Sequence, residues 1–316
     1  MADGIDAKDG SGARAAALGS RGVLAVGGPE AKSFLQGLLT NDLGRLAPDR
    51  GLAAALLTPQ GKLVAELLLI ELAEGGLLLE ADESLVPMLQ KKLTLYRLRA
   101  KVTIADERAR VRVYALFGAG GLPGLDGLVP GEARAAFGGL ALGDPRLEGL
   151  GARLYLPTEE SLEPLLAAGY APAEEGDWRG HRLALGVAEG AGDLPPERLF
   201  ALEANLAELN AVDFRKGCYV GQELTARMRH RAGLKKRLVP VAAEPFPAQG
   251  TVLRAGGRDV GEIVSSAGPG GFALLRTDRL VEEGVGLDGP LEADGTPARI
   301  RWPDWLAAPG AEGGAP

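Results

Sequence analysis

A single cysteine, Cys218, in 316 residues constrains this chain more than any other feature. No internal disulfide framework can staple it, and one copy cannot build a four-thiolate zinc or iron–sulfur site. His181 and His230 are the only two histidines, too few for a zinc centre of the usual kind. The fold must rest on apolar burial. Hydrophobic residues make up 46% and aromatics only 5%, so Leu, Ala and Val have to build most of the core. The length suits two or three domains of about 100–200 residues each.

Residues 1–17 and 306–316 are rich in Gly, Ala, Asp or Pro. Both ends are expected to be disordered, since neither carries enough apolar surface to offset the entropy of ordering. Between them strands are expected at Val23–Val26, Leu52–Leu57, Leu63–Ile70, Lys101–Ala105, Val111–Phe117 and Arg153–Leu156. Helices are expected over Glu30–Leu39, after Asp82, and over Ser161–Ala168, Trp178–Gly186 and Leu202–Leu209, from apolar residues at helical spacing. Thr58-Pro59-Gln60-Gly61 reads as the turn between two strands. After Lys236 short strands with tight turns take over, and Gly256-Gly257 marks a hairpin. The chain thus reads as α+β: a body over residues 18–235 and a small β-barrel over 236–305.

The cysteine lies in Asp213-Phe214-Arg215-Lys216-Gly217-Cys218-Tyr219-Val220-Gly221-Gln222-Glu223-Leu224-Thr225-Ala226-Arg227. Gly217 and Gly221 allow backbone geometry that other residues resist. Val220, Leu224 and Met228 recur at helical spacing, which places Cys218 at or just before a helix N-terminus. There the helix dipole, Arg215 and Lys216 are expected to favour the thiolate. The alternative is a small buried hydrophobe kept for packing. No histidine other than His230 is near enough in sequence to serve as a base, so a ligand or redox role fits better than acyl transfer.

Other candidates stay open between two readings. Asn41-Asp42 is either a functional corner or a turn. Glu203 is either a surface acid or a half-buried carboxylate that pairs with a heterocycle. Trp178, beside Arg179 and Arg182, either stacks on a planar ligand or packs in the core. The formal net charge of −7 argues against general nucleic-acid binding, yet Arg227, Arg229, Arg231, Lys235, Lys236 and Arg237 form a run without an acid. That patch suits an anionic partner, with tRNA as one reading.

Lys216-Gly217-Cys218-Tyr219-Val220-Gly221-Gln222-Glu223 resembles the signature of the YgfZ family, folate-binding relatives of the glycine-cleavage T-protein that include mitochondrial factors for late iron–sulfur cluster assembly. Phe34-Leu35-Gln36-Gly37, Leu39-Thr40-Asn41-Asp42, Pro59-Gln60-Gly61-Lys62, Leu95-Tyr96-Arg97-Leu98-Arg99-Ala100-Lys101-Val102 and Leu202-Glu203-Ala204-Asn205-Leu206 agree as well. The resemblance implies a T-protein-like body of two interlocked lobes followed by a barrel. It also implies tetrahydrofolate as ligand and a role in making or maintaining [4Fe–4S] clusters in client enzymes, tRNA-modifying ones among them. Cys218 matches the motif cysteine, surrounded by Lys216, Gly217, Tyr219, Gly221, Gln222, Glu223 and Arg227. Glu203, Trp178, Arg179, Arg21, Asn41 and Asp42 are the implied folate contacts. Ala65-Glu66 stands where the T-protein has paired aspartates, which sets aminomethyl or other one-carbon transfer behind an assembly role. One thiol cannot hold a cluster, so any cluster is shared with a scaffold or client protein, an A-type scaffold being one candidate.

The amino-terminal Met1-Ala2-Asp3-Gly4-Ile5-Asp6 is acidic and lacks an apolar core, unlike a secretory or transit peptide. The richest apolar run, Leu67 to Leu72, contains Glu71 and is too short to cross a bilayer. A cytoplasmic protein without a membrane partner is the expectation.

Overall fold

The computed structural model describes residues 12–230, 234–268 and 270–309. In chain order the first strands are β1 (Arg14–Ala17), β2 (Arg21–Gly27), β3 (Leu52–Leu57), β4 (Leu63–Glu71), β5 (Leu77–Asp82) and β6 (Thr103–Asp106). Then come β7 (Val111–Phe117), β8 (Ala133–Ala136), β9 (Gly139–Gly143), β10 (Ala152–Pro157) and β11 (Ala171–Ala173). The last are β12 (Lys236–Ala243), β13 (Val252–Ala255), β14 (Arg258–Ala267), β15 (Gly270–Arg276), β16 (Pro290–Ala293) and β17 (Thr296–Ile300). The helices are α1 (Ala31–Gln36), α2 (Val86–Arg97), α3 (Glu163–Ala167), α4 (Glu175–Ala184), α5 (Gly190–Asp193), α6 (Gln222–His230) and α7 (Thr277–Glu282).

Strands pair in the orders β11-β1-β7-β10-β9-β8 and β3-β4-β5-β2-β6, and β12-β15-β14-β13-β16-β17 closes into a barrel. Closure runs through β12 and β17, with Val241 opposite Ile300. Inside the barrel Val239, Leu253, Val260, Ile263 and Leu275 are all fully buried, each contributing about 1.5–3 kcal/mol by leaving water. Every residue of β3 is buried, which is why Leu-Ala-Ala-Ala-Leu-Leu shows no polar alternation.

Two compact units emerge. One holds residues 1–31, 45–52 and 68–178, the other residues 32–44, 53–67 and 179–316. Leu116, Leu154 and Leu156 from neighbouring strands of the six-stranded sheet pack together in the first. That unit also buries a charged network. Arg21 Nε lies 2.6 Å from Glu80, which also accepts from Arg153 at 3.2 Å and from the Tyr155 hydroxyl at 2.6 Å. Beside it Arg146 pairs with Asp144 at 2.7 Å. Burial and the Glu80 charge hold the Tyr155 hydroxyl well above its ordinary pKa.

Several expectations are corrected. Residues 14–17, expected disordered, form β1, because ladder bonds to β7 and β11 secure both its edges and Ala16 is fully buried. At the other end Leu306 is buried and its carbonyl accepts the Trp302 indole N–H at 2.8 Å. That part of the expected tail is therefore ordered, while 1–11 and 310–316 lie outside the described residues. The helix expected over Leu202–Leu209 is a chain of turns, interrupted where Asn205 and Asn210 take φ of 59° and 57°. Strands β5, β8, β9, β11 and β16 and helices α5 and α7 had no counterpart in the sequence reading.

Candidate functional site

The loop carrying Cys218 is built from its flanks. Asp213 Oδ1 accepts the backbone N–H groups of Arg215 (2.6 Å) and Lys216 (3.2 Å), a turn that an aspartate favours. Lys216 then runs inward. Its ammonium donates to the carbonyls of Gln36 at 2.7 Å, Leu39 at 2.6 Å and Asn41 at 2.9 Å, using all three of its donors. Burial pulls its pKa down to about 8, against the opposing carboxylates of Asp42 and Asp213.

The far side of the loop is equally fixed. Tyr219 is buried, and Val220 N–H donates to Gly37 O at 3.2 Å. Gly221 has φ +84°, and a Cβ there would sit 2.6 Å from Thr58 O and 3.1 Å from the Gly61 Cα. Only glycine lets these two turns pack backbone to backbone. Helix α6 follows, with Gln222 N–H donating to Tyr219 O and the Glu223 and Arg227 side chains paired at 2.7 Å on its exposed face.

Between the two anchors Gly217 and Cys218 are exposed, as is Arg215. An added Cβ on Gly217 would meet nothing within 4 Å, and its φ is not left-handed. Neither space nor backbone geometry demands glycine there. The arrangement presents one sulfur on a short span riveted at both ends. Among the described residues no group of three or more His, Cys, Asp or Glu side chains gathers to hold a metal.

The floor beneath this loop comes from the Asn41-Asp42 corner. Asn41 Nδ2 donates to Ala53 O (2.6 Å) and Asn210 O (2.8 Å), and Thr40 Oγ1 donates to Ala211 O (2.6 Å). Asp42 Oδ1 accepts from Gln36 Nε2 at 2.8 Å and from Gly44 N at 3.0 Å. The corner serves the cysteine loop through Lys216. Sequence reasoning missed that role, because the partners lie 175 to 180 residues apart.

Lys216 turns its ammonium inward onto three carbonyls, and α6 begins at Gln222, four residues past Cys218. Of the implied folate contacts, two belong to the first unit and four to the second. Arg21 is buried against Glu80, and Trp178 is 2% exposed, with the Arg153 guanidinium 4.6 Å above its ring and Phe117 at its edge. Both lie in the first unit and are packed there, so neither offers a face to a ligand. Asn41 is committed to two carbonyls. Glu203 is buried and its Oε2 accepts Phe200 N–H at 3.0 Å, while Arg179 is exposed. Lys62 Nζ sits 3.5 Å from the Phe200 ring centroid and donates to Arg198 O. Burial lowers the Lys62 pKa, with Glu203 opposing.

Glu66 is no open carboxylate either: it is buried and accepts Gly190 N–H at 2.9 Å. The cationic run is partly neutralised, with Arg227 on Glu223 and Arg237 on Glu208 at 2.6 Å, while Arg229 stacks 3.9 Å from the Phe214 ring centroid. Arg231 lies outside the described residues.

Against known proteins, residues 235–308 match the family model "CAF17, C-terminal beta-barrel domain". The iron–sulfur cluster assembly factor IBA57, mitochondrial, of Homo sapiens is 39% identical over 281 residues, covering 83% of this chain and 77% of that one. The IBA57 homolog of Neurospora crassa is 32% identical, covering 74% and 56%. In structure the chain resembles the glycine cleavage system aminomethyltransferase T from Bartonella henselae, with a TM-score of 0.74 at 17% identity over 94% of this chain and 87% of that one. The fold is thus T-protein-like. The relatives carry the name IBA57 where the resemblance pointed to YgfZ. They are also named mitochondrial, which overturns the cytoplasmic expectation: an acidic amino-terminus was a poor guide to location. Among the described residues no helix is long and apolar enough to cross a membrane.

Proposed function

Because the chain belongs to the IBA57 family of iron–sulfur cluster assembly factors, we propose that it works in cluster assembly by offering Cys218 as one thiolate ligand to a cluster that a second protein also holds. The observation that carries this reading is the exposed sulfur on a span anchored by Lys216 on one side and Tyr219–Gly221 on the other. The step is a ligand exchange. Cys218 loses its proton to solvent, an iron–sulfur bond forms at Sγ, and one bond from iron to a ligand of the partner breaks. No electron moves. A fixed span keeps the thiol in one geometry, so little ordering entropy is lost when iron arrives. The bare Gly217 leaves room for the partner's backbone beside it.

Tetrahydrofolate belongs to the same proposal with fewer contacts than the resemblance implies. Arg21, Trp178 and Asn41 do not fit it, being committed elsewhere. Glu203, Arg179 and the half-buried Asp42 are the remaining candidates, and no step is routed through the ligand. One-carbon transfer finds no support at Glu66, whose carboxylate is tied to Gly190.

Complementation tests the reading. In cells lacking the chain, Cys218→Ala is expected to leave the protein level unchanged and to lower the activity of [4Fe–4S] client enzymes. Full rescue by Cys218→Ala contradicts a chemical role for the sulfur.

A further inference from the structure

The end of α2 carries a second exposed feature that cluster chemistry does not use. Its inward face is Val86, Leu89 and Leu93, all buried. Its outward end shows Leu95 and Leu98, 66% and 87% exposed. From Val86 to Lys101 there are five cations, Lys91, Lys92, Arg97, Arg99 and Lys101, and no acid, on a chain of net charge −7. Among the described residues none of the five is in an ion pair, although most of the arginines elsewhere in the same unit are. Lys91 and Leu95, at i and i+4, share the exposed side of α2, and the exposed Leu98 follows directly at its end.

Leu98 is also held in a conformation that leucine avoids, with φ 47° and ψ −104°. The turn that imposes it is built from both sides. Ala100 N–H donates to Arg97 O at 2.8 Å and Val102 N–H to Ala100 O at 2.9 Å. Arg97 Nη1 reaches Val102 O at 3.4 Å, and the Glu30 carboxylate accepts Lys101 N–H at 2.5 Å. Gly28 (φ +103°) closes the other side, where a Cβ would lie 2.3 Å from Lys101 O. A backbone strained to hold an apolar side chain in water gains nothing from that residue when the protein is alone.

We infer that Leu95 and Leu98 are a preformed plug for an apolar pocket rimmed by carboxylates on a partner protein. The cationic rim selects the acidic surroundings by charge complementarity. The fixed turn selects a shaped pocket, because a plug ordered in advance loses little entropy on docking. A fluid lipid surface needs no such fixed geometry, and two leucines bury little in it. This inference goes beyond the cluster reading and is independent of it, since docking is measured without iron.

The test replaces Leu98 by the photocrosslinking residue p-benzoylphenylalanine in the full chain, expressed in its own cells, with Val129 (56% exposed) as the control position. The expected result is one dominant protein adduct from position 98, mapped to an apolar residue flanked by Asp or Glu. It should vanish when Lys91, Arg99 and Lys101 become Glu. The captured protein, purified, should bind the parent chain with an affinity that falls as salt rises. That affinity should drop about tenfold or more with Leu98→Gly, the loss expected of a central apolar anchor. Leu98→Gly relieves the backbone strain, so its melting temperature should equal or exceed that of the parent, separating lost docking from lost folding. A yield no greater than at Val129 overturns the proposal. So do dominant adducts to lipid, RNA or a second copy of the chain, or a captured protein that binds Leu98→Gly as tightly as the parent.

Discussion

Replacing Lys216 by Met tests whether the cysteine loop is pinned as the structure shows. Met keeps the length of the side chain and removes the ammonium, which donates to Gln36, Leu39 and Asn41 at 2.6–2.9 Å. Hydrogen bonds with a charged partner contribute about 1.5–3 kcal/mol each. Met recovers part of that loss by burying an apolar chain, and the freed carbonyls bind some water, so the net cost should be about 3–5 kcal/mol. At ~2–4 °C per kcal/mol the melting temperature should fall by about 6–20 °C. Circular dichroism during heating and urea titration gives the loss directly. Lys216→Arg, which keeps the charge but cannot aim three converging donors from one nitrogen, should fall between the two. A Met variant within about 0.5 kcal/mol of the parent, the range of an ordinary surface change, would refute the reasoning.

Three further outcomes follow from the same geometry. Gly221→Ala should cost about 1–3 kcal/mol, since it forces a side chain into a left-handed backbone and onto Thr58 O; an unchanged urea midpoint contradicts the packing of the two turns. Gly217→Ala should change stability by less than about 0.5 kcal/mol and still reduce client-enzyme activity, and full activity would show that no partner passes beside the sulfur. For Asp144, burial pushes the carboxyl up but Arg146 and Arg153 outweigh it, so its folded pKa lies below the ordinary 3.8. Its contribution is fully present above 3.8 and is lost as pH falls through the folded value. Asp144→Asn should therefore flatten part of the parent's acid-induced loss of stability, and parallel acid curves for the two proteins would contradict the sign.

The sequence made local periodicity and turn chemistry legible. Leu52–Leu57 was readable as a strand because its apolar run stops at Thr58-Pro59-Gln60-Gly61, and the barrel because glycines punctuate short apolar segments after Lys236. Leu202–Leu209 misled because its apolar spacing suits a helix while two asparagines take left-handed geometry, which spacing does not reveal. Strand β1 was missed because alanines bring little apolar surface, although a paired edge on each side is enough to order them.

At the site, the cysteine and its two glycines were visible, but their division of labour was not. Gly221 is required by a turn 160 residues earlier, and Gly217 by nothing within the chain. Lys216 looked like an activator of the thiol because it is two residues away in sequence, yet its partners are carbonyls at the end of α1 and just beyond. Trp178 beside Arg179 looked like a stacking platform, and the cation over its ring is Arg153 from β10. Long-range partners decide each of these cases.

The most direct measurement is the spectroscopic state of a cluster loaded onto the purified chain together with an A-type scaffold protein. With native Cys218 the mixture should yield a joint complex whose visible absorption and Mössbauer spectrum differ from those of the scaffold alone. Cys218→Ser should return the scaffold's own spectrum. The same joint spectrum from Cys218→Ser would contradict the account, because iron would then be held without the one sulfur this chain supplies.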